Sequence, residues 1–153
     1  MILEPAPRFE GRAPALQRVR RARDLERIRF EDGVALVEVD APVLRRIRFK
    51  NARRGVDDAR TEAVARSIRR EGYVSRAPII ARIGAKGKWV VVDGGHRLTA
   101  IRRVMGEWWT NLFGPKVRRV QFVLFTTPRS WSKARRAAGR PRRSDAEGGP
   151  AAG

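Results

Sequence analysis

Strand-length apolar runs and helix-spaced apolar stripes fall almost entirely between residues 34 and 127, and the stretches on either side are crowded with arginine. This partition constrains the fold more than any other feature, because a core can be assembled only where large apolar side chains recur at strand or helix spacing. The expected organisation is a basic N-terminal arm carrying a helix (1–33), a packed domain (34–127) and a disordered basic tail (128–153). The chain has 153 residues, with 35 Lys or Arg against 16 Asp or Glu and a formal charge of +19. An excess of that size favours a polyanionic partner, since each cation placed on a phosphate releases a condensed counterion. DNA is the partner expected first. An anionic membrane comes second and is set aside, because the arm is poor in Trp, Phe and Leu and no run approaches the roughly 18 apolar residues that span a bilayer. There is no cysteine and only one histidine, His96. Thiol chemistry, disulfides and Cys- or multi-His-ligated metals are thereby excluded, and no metal site is expected in the protein itself.

Within the middle segment the elements alternate. Val34, Leu36, Val37 and Val39 predict a strand after Gly33, and a short turn or helix with Leu44, Ile47 and Phe49 follows Pro42. Asp57 or Asp58 suits the N-cap of a helix with Val64, Ala65 and Ile68 inward, and Gly72 suits its stop. Ile79–Ile83 and Trp89–Val92 flank a glycine-containing loop and read as a hairpin. A helix from His96 to Met105 with Leu98, Ile101 and Met105 inward is ended by Gly106, and a last strand runs from Val117 to Phe125. Outside the domain, Ala15–Phe30 is expected to be a helix with a thin apolar stripe and Arg18, Arg20 and Arg21 free to meet phosphates. The fold class is α+β: a small mixed sheet with two to three helices.

The junction Asp93-Gly94-Gly95-His96-Arg97 carries the chemistry. Two glycines between a strand and a helix let the first N–H groups of the helix converge at the positive end of its dipole, where an anion is stabilised. Gly94, Gly95, His96 and Arg97 are therefore the candidate phosphate-binding residues, with Arg97 offering a fork of donors. Asp93 suits a ribose hydroxyl or a cation, and His96 suits proton transfer near neutral pH. A tight turn with solvated His96 and Arg97 accounts for the same spacing.

The ordered set Ser67-Ile68-Arg69-Arg70-Glu71-Gly72, Pro78-Ile79-Ile80 and Val90-Val91-Val92-Asp93-Gly94-Gly95-His96-Arg97-Leu98-Thr99-Ala100 resembles the N-terminal domain of the ParB and sulfiredoxin superfamily. The resemblance covers nearly all of the packed middle. It implies that fold and a nucleoside triphosphate, CTP or ATP with Mg²⁺, bound at this loop. ParB partition proteins carry Gly-Glu-Arg-Arg here, so Gly94 and Arg97 match while Gly95 and His96 replace the Glu and the first Arg. Sulfiredoxins carry Gly-Gly-Cys-His-Arg; His96 and Arg97 match, but Gly95 stands where the cysteine attacks, so sulfinic acid repair is excluded on chemistry. The Asp-Gly-x-His-Arg form is nearest to ParB-like proteins labelled nuclease-like. No helix-turn-helix domain is expected to follow, so sequence reading of that kind is not expected of this polypeptide.

Three functions fit these residues: a ParB-like nucleotide-binding protein acting on or near DNA; a nuclease or NTP-dependent phosphotransferase using Asp93, His96 and Glu71; or a non-enzymatic basic DNA-binding accessory protein. Whether there is turnover stays open, as does the oligomeric state. Asp58 and Glu62 are read as complements to a helix dipole. Gly139-Arg140-Pro141, flanked by Arg142 and Arg143, resembles the core of an AT-hook, although a plain solvated tail is favoured. Trp108 and Trp109 are expected to close the core rather than stack on bases. The cytoplasm is the expected location, on nucleoid DNA if the arms bind it.

Overall fold

The structure, a computed structural model, describes residues 14–52, 57–74 and 77–139. Its centre is set by two strands whose apolar residues leave little room for water. β2 (Val34–Asp40) and β6 (Arg119–Phe125) pair antiparallel from Val34 opposite Phe125 to Asp40 opposite Arg119. β4 (Ile79–Ile83) lies parallel to β6 on its other side and continues antiparallel into β5 (Trp89–Asp93), with a bulge between Ile80 and Ala81. β3 (Phe49–Asn51) adds parallel to β5, and β1 (Leu16–Val19) adds parallel to β2, giving one six-stranded sheet in the order β1-β2-β6-β4-β5-β3. The α+β class holds.

One face of the sheet is covered by α2 (Asp58–Glu71) and α3 (Gly95–Met105), with the short α1 (Ala41–Leu44) beside them. Ala65 and Ile68 of α2 and Leu98, Ile101 and Val104 of α3 meet Val37, Val39, Ile79, Val91 and Phe122 in the main core. Phe49, Trp89 and Phe122 pack against one another within it, at ring separations of 5.1–5.7 Å. The two long helices run in the same direction. Asp57 touches His96 where they start, and Arg69 reaches Glu107 just beyond the end of α3.

Two expectations for the ends are overturned. The predicted helix over 15–30 is instead β1 followed by a 3-10 turn, Ala22–Arg27. An arginine-rich segment has no strong apolar helix stripe to bury, whereas the edge of β2 offers a row of backbone partners that outweighs weak helix propensity. Val19 is buried, Leu25 and Ile28 pack on the core, and the Asp24 carboxylate ties the turn by accepting from the backbone N–H groups of Arg20 and Arg21. Residues from Leu16 onward thus belong to the domain rather than to a separate arm ending at 33. The tail predicted to be disordered from 128 starts with a turn, Pro128–Ser130, and α4 (Trp131–Ala137). α4 covers the second face, where Val34, Ile80, Val123 and Phe125 would otherwise meet water, and Trp131 lies 5.5 Å from the Phe125 ring. A sheet apolar on both faces needs two covers.

Candidate phosphate-binding site

β5 delivers the chain to Gly94, which stands in the left-handed region at φ 101° and ψ 20°, and α3 begins at Gly95. The two glycines are specified to different degrees, Gly94 by its backbone conformation and a buried neighbour, Gly95 only by contact with the end of one side chain. At Gly94 the backbone conformation disfavours any L side chain, and a Cβ would lie 3.1 and 3.2 Å from the two γ-carbons of Ile79. At Gly95 a Cβ would stand 2.9 Å from Oδ1 of Asn51, which the parallel pairing of β3 with β5 brings against the helix start. That Asn51 oxygen is itself buried without a hydrogen-bond partner.

The starts of α2 and α3 lie side by side but are finished differently. Asp57 caps α2, its carboxylate accepting from the backbone N–H groups of Ala59 (2.9 Å) and Arg60 (3.3 Å). Gly94 has no side chain with which to cap α3. Its carbonyl accepts from the Leu98 N–H, and the N–H groups of the first turn receive no side-chain cap. Unsatisfied donors at the positive end of an 11-residue helix favour a bound anion.

The predicted side chains are only partly aimed at such an anion. Arg97 directs Nη1 to the carbonyl of Ala77, stapling α3 to the chain that enters β4, while Nη2 lies beside Gly94. His96 accepts the Asp57 N–H at Nε2 over 3.0 Å. The Nε2 lone pair is thus already in use as an acceptor. Thr99 donates to the Gly95 carbonyl at 2.8 Å and adds a tie within the first turn. Asp93 closes β5 opposite Ile80, next to the glycines. Neither the Asn51 contact nor the Asp57–His96 link has a signature in local sequence, since both depend on strands and helices meeting across long separations.

The remaining candidates lie elsewhere. Glu71 is at the far end of α2, exposed and 3.6 Å from Arg70, about 20 Å along the helix from the Asp57 end. It is not brought to Asp93 and His96. Asp58 and Glu62 join an arginine clasp between α2 and α3. Arg103 contacts Glu62 at 3.0 Å and Asp58 at 3.4 Å, and Arg69 bridges Glu62 at 2.5 Å and grips both carboxylate oxygens of the buried Glu107 at 2.8 and 2.7 Å. Hydrogen bonds from Arg69 hold the Glu62 and Glu107 carboxyls below their ordinary range and push Arg69 itself further up. Among the described residues no group of three or more His, Asp or Glu side chains is arranged to hold a metal ion. No described helix is long and apolar enough to cross a membrane.

Of the cations assigned to nucleic acid, Arg18 stands 3.9 Å from Glu38 across the β1–β2 pair, and Arg20 and Arg21 are exposed. Arg140, Arg142 and Arg143 lie outside the described residues, and with them most of the AT-hook-like core. Trp108 and Trp109 do not close the core. Both are exposed. Comparison of the chain with protein-family models, with curated proteins and with solved structures finds no match to any of them.

Proposed function

We propose that this chain is a ParB-like nucleotide-binding protein that acts on or near DNA, with the phosphates of a nucleoside triphosphate seated on the backbone at the start of α3. The observation that carries this reading is the difference between the two neighbouring helix starts. α2 is closed by the Asp57 carboxylate, whereas α3 opens through Gly94 and Gly95 with no side-chain cap. An anion at α3 would do there what Asp57 does for α2. The main-chain N–H groups of Gly95, His96 and Arg97 are the donors, and the Nη2 side of Arg97 adds charge beside Gly94. Asp93 is the one carboxylate in the junction itself, so Mg²⁺ would be carried by the phosphates with at most that protein ligand. The metal would screen phosphate charge, while the chain's own residues bind and orient. The formal charge of +19 supports a nucleic-acid partner in the same complex.

The alternative, a nuclease or phosphotransferase, needs His96 to move a proton. It would first have to give up the Asp57 N–H, since Nε2 cannot accept that bond and a substrate proton together. Binding without turnover is therefore the favoured reading.

Titration of the full chain with CTP, ATP and GTP in Mg²⁺, with and without DNA, tests both readings. A saturable rise in melting temperature with one triphosphate and no product release is expected. Failure of all three to stabilise the protein would refute the site. Consumption of nucleotide or DNA that is lost in His96→Ala would replace the binding reading with the enzymatic one.

A further inference from the structure

The segment that follows α3 is held by polar contacts rather than by its aromatic residues. Glu107 is gripped by Arg69 and accepts from the Thr110 hydroxyl at 2.8 Å. The Asn111 side chain donates to the carbonyls of Val104 and Glu107 and accepts from the Lys116 N–H, all within 2.9 Å. This polar frame leaves Trp108 72%, Trp109 58%, Leu112 61% and Phe113 99% exposed. Four large apolar side chains are thus displayed on a braced turn and have no part in the core. Trp108 and Trp109 meet edge to face, with centroids 6.0 Å apart.

Beside Trp108 opens a cleft of about 670 Å³, bordered by Arg45, Met105, Arg118 and Arg119, and a neighbouring cleft adds Arg102. Arg45 is fixed by donating to the Met105 carbonyl at 3.1 Å, and Arg102 lies over the Phe49 ring at 5.5 Å. Asp40 lines the cleft as well, 3.6 Å from Arg119. Among the described residues Arg45, Arg102 and Arg118 have no carboxylate partner, so cations predominate around the recess.

We infer that this cleft and the indole of Trp108 form a binding groove for single-stranded nucleic acid, phosphates on the arginines and a base stacked on Trp108. The charge complements a phosphodiester strand, and an exposed indole accepts an unpaired base of any sequence. A duplex keeps its base faces covered, and a bilayer presents a flat surface that cannot enter a recess. The groove is independent of the Gly94 turn, because the 11-residue α3 holds them about 16 Å apart.

The test follows tryptophan fluorescence of the full chain, and in parallel the anisotropy of a dye-labelled thymidine 15-mer, which reports affinity for every variant, at several salt concentrations. Quenching is expected in the wild type. Trp108→Ala should weaken binding about tenfold with an unchanged salt slope, and Trp108→Phe should recover part of the loss. Arg118→Ala should instead lower the log–log slope by about 0.7. Far-ultraviolet circular dichroism verifies that the variants fold. Equal affinity of wild type and Trp108→Ala would overturn the proposal. So would quenching by phosphatidylserine vesicles alone, or a self-association that covers Trp108 and resists the oligonucleotide. Loss of strand binding in Arg97→Ala as large as in Trp108→Ala would move the strand to the α3 start and overturn the groove, whereas failure of nucleotide binding with strand binding retained would support a groove separate from that turn.

Discussion

Gly94→Ala measures how strictly the turn before α3 is specified, and Gly87→Ala supplies its internal reference. Both glycines have positive φ, 101° and 74°, but a Cβ at Gly87 meets nothing within 4 Å, whereas at Gly94 it presses on two Ile79 carbons and on Arg97 Nη2, all within 3.3 Å. Gly87→Ala therefore isolates the cost of the left-handed conformation, about 1–2 kcal/mol. Gly94→Ala adds overpacking against Ile79, which is fully buried and cannot step aside, at roughly another 1–2 kcal/mol. Urea denaturation with a common m-value should place Gly94→Ala about 2–4 kcal/mol below the wild type and clearly below Gly87→Ala. Because relief of the contact would displace the first N–H groups of α3, affinity for a triphosphate should fall as well, while Gly87→Ala should not change it. Equal losses of stability in the two variants would refute the argument that contact with Ile79, beyond conformation, specifies Gly94.

Other perturbations probe the surrounding structure. Arg69→Gln removes the charged partner of the buried Glu107 and should cost about 1.5–3 kcal/mol in denaturant titrations. Arg69 holds the Glu107 and Glu62 carboxyls below their ordinary value of 4.5, so its contribution is complete above that pH and is lost as pH falls through the lowered folded values. An acid-unfolding series should accordingly show a shallower decline for Arg69→Gln than for the wild type. Arg97→Ala breaks the staple to the Ala77 carbonyl and should speed amide exchange in the segment leading into β4, besides weakening any triphosphate; Arg97→Lys should restore neither fully. Trp131→Ala uncovers Phe125 and should lower stability by about 2 kcal/mol, with increased binding of a hydrophobic dye. If the two variants last named behave as wild type, the contacts assigned to Arg97 and to α4 are wrong.

Much of the domain could be read from residues near one another in the chain. The hairpin of β4 and β5, the cap at Asp57, the stop at Gly72 and the Gly94-Gly95 entry into α3 depend on periods of two or 3.6 and on turn chemistry, which a short window contains. What a window cannot contain is an unpaired edge or an uncovered face elsewhere in the molecule. Leu16–Val19 became a strand because β2 had an open edge, and Trp131–Ala137 became an ordered helix because the sheet had a second apolar face. The same holds at the candidate site. The residue types for an anion at α3 are written in the local sequence. That Arg97 is drawn to Ala77, that His96 already accepts from Asp57 and that Asn51 crowds Gly95 follow only from the packing of β3, α2 and α3. Trp108 and Trp109 show the reverse case: aromatic composition suggested core, but the aromatic cluster of the core is built from Phe49, Trp89 and Phe122 instead, and both indoles stand exposed.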